Sequence, residues 1–357
     1  MKYTHVLWVL GMSVMFGCSS SPPQGNQEGT KETEKASENA ASPDVQVAPT
    51  DDSKTEKPSG VEKSNSENSR PEGPKANDGP GDGAEEKKGK GMQGLMTGFE
   101  RPDSIIYDKR YGRYIVSNLG GSEWDRTNGG SLSIIDRRTG EITHKWAAGE
   151  QEHVTLNAPR GMALAGLSLL VADGSFLRKF NRKTGAHQGS FEVPGARLLD
   201  SVAIGRDGTA YVTDSAWLPE WSPAAGSGIY KLEEGMMRPV VISEDLAHPG
   251  GLVVRDGILW TVSTKTGKVT AVDPSGEIVK SIDVKGFGLR GLAVDSDGDL
   301  LLGSTRNGKV LKGPPEGPFK VLLTASGGVG GIGYDNKRNR IVLPVTQKNH
   351  VEIPNLP

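Results

Sequence analysis

"LRGLAVDSDGDLLLGSTRNGKVLKG", residues 289–313, holds three short apolar runs separated by Asp-Gly and Asn-Gly. Asp-Gly or Asn-Gly between such runs is the strongest short hairpin signal, because both residues accept the positive φ of a two-residue turn. The stretch predicts two strands joined at Asp297-Gly298 and a third after Asn307-Gly308. Asp295, Asp297 and Asp299 also invite a calcium-loop reading. That loop needs Gly at its sixth place and Glu at its twelfth. Counted from Asp295, Gly298 is fourth and Arg306 is twelfth, so the turn reading stands.

The stretch is one copy of a repeat. Six segments begin alike: "PDSIIYD" at 102, "PRGMALA" at 159, "LDSVAIG" at 199, "PGGLVVR" at 249, "LRGLAVD" at 289 and "VGGIGYD" at 329. In each, one variable residue precedes a Gly or Ser that opens an apolar run. The variable residues are Asp103, Arg160, Asp200, Gly250, Arg290 and Gly330. A second run follows every start, as in "RYIVSN", "LLVADG", "AYVTDS" and "LWTVST". A third run comes next, and turns such as "RRTGEI" and "DPSGEI" lead from it to a fourth. No stretch keeps a helical period, so the region from residue 92 is all-β.

A four-strand unit repeated every 40 to 57 residues has the length of one propeller blade. Six such units predict a six-bladed β-propeller over residues 92–357, in which each blade buries its faces against its neighbours. The last unit ends after three strands. Its fourth is expected from "GMQGLMTGFE", residues 91–100, which would close the ring.

In such a ring the first strands line a central channel, and the six variable residues gather at one mouth. The loops between second and third strands emerge on the same face. Two are long, residues 118–130 and 215–228, and they bring Asn118, Trp124, Trp217 and Trp221 to the rim. Aromatics beside convergent polar groups mark a binding site. Asp103, Arg160, Asp200 and Arg290 could simply pair with one another; alternatively, the Arg forks could bind a carboxylate or phosphate. No G-x-S-x-G elbow is present. His144, His153, His187, His248 and His350 read as surface or turn residues.

The six units, their "P-x-S/G" starts and the "YVTDS"-type second strands resemble the gluconolactonase/regucalcin-like propellers, with NHL-type propellers as neighbours. The resemblance covers about residues 95–357. It implies hydrolysis of sugar lactones around a divalent cation at the channel mouth. Its motifs would place the cation ligands at Asp103, Gly250 and Arg290, and a substrate-holding pair at Leu199-Asp200. Gly250 has no side chain and Arg290 is a cation without a lone pair to give. Asp173 and Asp214, at second-strand ends, are the spare carboxylates.

The N-terminal quarter differs in kind. "MKYTHVLWVLGMSVMFGCSS" has a Lys, an apolar run from Val6 to Phe16, then Gly17-Cys18. The run is too short to span a bilayer and reads as a signal peptide over residues 1–17. "MFGC" resembles the lipobox of bacterial lipoproteins. That implies acylation of Cys18, the only cysteine, and Ser19 after it favours the outer membrane. Residues 19–91 contain no Leu, Ile, Met or aromatic residue and carry fifteen acidic against ten basic groups. Such a segment cannot offset its chain entropy by burial, so 18–91 is expected to be a disordered linker.

The chain as a whole carries a formal charge of −2, which gives no argument for nucleic acid. The expectation is an exported, lipid-anchored envelope protein whose propeller binds a protein partner or a small anionic ligand without catalysis. The alternative is a divergent metal-dependent hydrolase of lactones or esters. No cofactor is expected under the first reading. Under the second it is calcium, held by Asp103, Asp200 and Asp214.

Overall fold

The structure is a computed structural model that describes residues 94–151, 153–286 and 288–356. The expected signal peptide, Cys18 and linker lie outside the described residues.

Six four-stranded antiparallel sheets form the ring. Blade one is Pro102–Asp108, Arg113–Asn118, Ser131–Asp136 and Ile142–Ala148. Blade two is Pro159–Ala165, Ser168–Asp173, Phe176–Asn181 and His187–Glu192. Blade three is Leu199–Ile204, Ala210–Asp214, Gly228–Glu233 and Met236–Ile242. Blade four is Pro249–Arg255, Ile258–Ser263, Lys268–Val272 and Ile278–Asp283. Blade five is Leu289–Val294, Leu300–Ser304, Lys309–Gly313 and Lys320–Thr324. Blade six is Gly333–Asp335, Arg340–Val345 and His350–Ile353, with Gly94–Thr97 as its outer strand. Leu95 pairs with Glu352 and Thr97 with His350, so the expected closing strand is in place. The all-β, six-bladed expectation holds.

Period-two alternation explains the core. In the second strand of blade two, Leu169 and Val171 face the blade-one side, with Ile115 and Leu132. Leu170 and Ala172 face the other side, with Leu199, Val202 and Val212 of blade three. One strand therefore feeds two interfaces. Each of the six interfaces between neighbouring blades holds such an apolar cluster.

The small residue of each repeat start also has a physical cause. First strands of adjacent blades approach backbone to backbone. A Cβ on Gly161 would lie 2.6 Å from the carbonyl oxygen of Asp200, and one on Gly251 would lie 2.5 Å from that of Arg290. At these two positions only Gly is compatible with that spacing. In blades one to five the pairing of first and second strands slips beside the variable residue. Such a bulge re-aims a side chain. Here it turns the variable residue toward the channel.

Ring closure has a polar clasp as well. Tyr114 of blade one donates its hydroxyl to Asp335 of blade six at 2.8 Å, and both residues are fully buried. Burial pushes the Tyr114 hydroxyl well above its ordinary pKa, and the Asp335 carboxylate pushes it further, so it stays a donor. Tyr114→Phe should lower the unfolding free energy by about 1–2 kcal/mol in urea titrations at neutral pH. An unchanged midpoint would exclude the bond from closure.

Candidate functional site

The bulges bring four charges together on the channel axis from distant parts of the chain. Arg290 donates Nη1 and Nη2 to the two oxygens of Asp103, both at 2.6 Å. Its Nε reaches Asp200 at 3.0 Å. Asp200 also accepts from Arg160 Nη2 at 3.0 Å. All four side chains are buried. Burial pushes the Asp103 carboxyl up, but Arg290 and then Arg160 outweigh it and hold it below the usual carboxylate range. Burial likewise disfavours the Arg290 charge, and the two carboxylates overcome that. The pairing foreseen between these residues is what the fold builds.

The cluster seals the channel. On one side lies a cavity of about 350 Å³ with aliphatic walls that include Val202, Leu252 and Leu292. On the other side is the mouth, a cavity of about 400 Å³. Asp103, Arg160 and Arg290 line the mouth cavity, together with Arg101, Glu123, Trp217, Trp221, Thr264, Thr305 and Gln347. Arg101 is neutralised there, with Nη2 2.7 Å from Glu123.

Arg160 differs from Arg290. It is 1% exposed, yet Nε and Nη1 have no acceptor. Buried polar groups normally find partners, and an orphaned donor on a cation calls for an explanation.

The rim is partly as expected. Trp124, from the blade-one loop, meets Trp221 edge-on with centroids 5.6 Å apart. Trp221 meets Trp217 at 6.0 Å. The blade-three loop is not irregular throughout. It carries a small hairpin in which Trp217–Leu218 pairs with Ser222–Pro223. Trp217 is fixed on both sides. It stacks on His248 at 4.0 Å, and its Nε1 donates to Thr264 at 2.9 Å.

Three sequence readings are corrected. Asn118 is not a rim residue. It is buried at the end of the second strand and donates to Ser133 at 2.9 Å. Asp214 is no spare ligand, since it accepts the backbone N–H groups of Arg197, Leu198 and Ala216. Asp173 plays the same part for Asn157 and Ala158. His248 is no surface residue, being 2% exposed. Its Nδ1 donates to the Ser215 carbonyl at 2.7 Å. Burial pushes its pKa down more than that bond raises it, which favours neutral imidazole. Sequence reasoning missed His248 and Arg101. Their only signal was adjacency to the Pro that opens a repeat.

The residues present do not fit a divalent cation. A guanidinium stands between the two carboxylates that would bind it, and the third is occupied by three N–H groups. No cluster of three metal-ligating side chains occurs among the described residues. Melting temperatures in excess calcium and in excess chelator should therefore agree within about 1 °C. A clear upward shift with calcium would refute this.

No family model matches the chain, and no curated protein matches it. Solved structures do. A calcium-binding regucalcin from Agrobacterium tumefaciens is 14% identical, with 74% of this chain and 93% of that chain covered at a TM-score of 0.57. A gluconolactonase from Xanthomonas campestris is 17% identical, covering 73% and 89% at 0.55. A virginiamycin B lyase from Staphylococcus aureus, bound to quinupristin, is 14% identical, covering 74% and 99% at 0.52. The chain thus has structural neighbours among gluconolactonase, regucalcin and streptogramin-B-lyase-type six-bladed propellers, and at these identities the likeness shows the fold alone.

Proposed function

We propose that this is a lipid-anchored envelope protein whose propeller mouth binds a small anionic ligand without catalysis. The observation that supports the binding reading is Arg160, a buried cation that lines a 400 Å³ cavity walled by tryptophan and keeps two nitrogens without an acceptor. An anion entering the mouth would supply the missing acceptors, and charge-assisted bonds of this kind are the strong ones. The hydrolase reading draws support from the shared fold only, and fold does not imply function.

The test is a titration of small carboxylates and inorganic phosphate, followed by tryptophan fluorescence. Arg160→Met should weaken binding by about 10- to 100-fold, the worth of one or two charge-assisted hydrogen bonds. Equal affinity in wild type and variant would remove Arg160 from the site.

The sequence supports the location. Export and acylation at Cys18 would attach the chain to a membrane, with the outer membrane favoured by Ser19. Two or more acyl chains give a firm anchor. Labelled palmitate should enter the wild-type protein and not Cys18→Ala. Label in both would sink the anchor.

A further inference from the structure

Two long loops, from blades one and three, meet across the short blade-two turn at Gly174-Ser175 through the Trp124–Trp221 contact. Blade two is the blade that supplies Arg160. The guanidinium carbon of Arg160 lies 5.9 Å from the Trp221 ring centroid. Trp221 covers the cation on one side and is itself 46% exposed.

The two mouth tryptophans are held very differently. Trp217 is clamped between His248 and Thr264. Trp221 rides at the tip of a hairpin with only two paired positions. At that tip Glu220 has φ +60° and Trp221 has φ +58°. Neither is a glycine, and two successive side-chain-bearing residues in the left-handed region are strained. Such strain gathers at clamps and switch segments, where the surroundings must hold it.

The electrostatics limit what lies beneath. Asp103, Asp200, Arg160 and Arg290 cancel, and Arg101 is paired with Glu123. One negative charge would meet the unused N–H bonds of Arg160. A second would face Asp103, with no further unpaired cation among the residues that line the mouth. Displacing the Trp221 ring would remove the aromatic neighbour whose centroid lies 6.0 Å from that of the fixed Trp217.

Resting on the anion-site reading of Arg160, we infer that Trp221 is a lid over this residue and that the site beneath takes a monocarboxylate with a flat apolar body. The lid swings on the strained tip, the carboxylate takes Arg160, and the flat body replaces the Trp221 edge against Trp217.

Stopped-flow tryptophan fluorescence of the full chain tests this with benzoate, acetate and inorganic phosphate as probes. Benzoate should bind at least tenfold more tightly than acetate or phosphate. Its observed rate should level off at high concentration, because opening of the lid then limits it. In Trp221→Ala the plateau should disappear. In Trp124→Ala, which leaves the hairpin intact and removes only its partner, the plateau should rise severalfold. Binding by Trp221→Ala alone would also support the lid. A wild-type rate that rises linearly, with the same slope in both variants, would overturn the lid. Phosphate binding as tightly as benzoate would overturn the ligand class. No binding of any probe to wild type or Trp221→Ala would overturn the anion site itself.

Discussion

Arg290→Met should lower the unfolding free energy by about 3–5 kcal/mol at neutral pH, the usual cost of removing one partner from a buried ion pair. Asp103 would lose both of its guanidinium bonds, and Asp200 would keep only Arg160. The pH dependence identifies the cause. In the wild type the Asp103 pKa is depressed. Its contribution is therefore present above the unfolded value near pH 3.9 and is lost as pH falls through the folded value. In the variant only Arg160 and Arg101 oppose burial, the strongest influence on this carboxyl, and the expected result is that it titrates above its unfolded value. Folding then takes up a proton, and the variant gains stability as pH falls from neutral toward 5. Urea titrations at pH 7.5 and 5.0 should show the gap to wild type narrowing. Adding Asp103→Asn should recover part of the loss, because a neutral pair no longer strands a charge. A penalty independent of pH, or one below 1 kcal/mol, would mean that the cluster is solvated and does not seal the channel.

The repeat was legible because its causes are local. Alternation in "LLVAD" follows from strand geometry, and each Asp-Gly follows from turn geometry. The closing strand was legible by subtraction, since blade six lacked one. The variable positions were found because their neighbours hold still. Which partner each would take was not legible, because Arg160 reaches a residue 40 places away and Arg290 one 187 places away. Strand-end residues were the hardest to read. Asn118, Asp173 and Asp214 end the second strands of blades one to three, and sequence offered two carboxylates free to ligate. The fold instead turns both acids onto the N–H groups of the segment entering their own blade. Sequence cannot reveal this, because those donors are orphaned by a tertiary approach and not by a pattern.

Asp214→Ala should be nearly as costly as the loss of Arg290, about 3–5 kcal/mol, although Asp214 has no cationic partner. Oδ1 accepts from Leu198 at 3.0 Å and Ala216 at 2.9 Å, and Oδ2 accepts from Arg197 at 3.0 Å. Each buried N–H left without an acceptor costs roughly 1–3 kcal/mol, with entering water returning some of it. The three donors belong to both sides of the site. Arg197 and Leu198 lead into the strand that carries Asp200, while Ala216 leads into the hairpin that carries Trp217 and Trp221. Asp214→Asn separates hydrogen bonding from shape. Its oxygen can keep the two donors on the Oδ1 side, while its NH₂ faces the Arg197 N–H. The loss should be intermediate, about 1–2 kcal/mol, and the blade should stay folded. Benzoate affinity should fall with it, because the hairpin anchored at Ala216 carries the aromatic wall of the mouth. Urea unfolding of both variants, with a benzoate titration of the Asn form, reads the two effects separately. If Asn and Ala cost the same, the carboxylate is not acting as an acceptor. If the Asn form loses stability but keeps full affinity, the strand-end acid holds the blade without setting the lid.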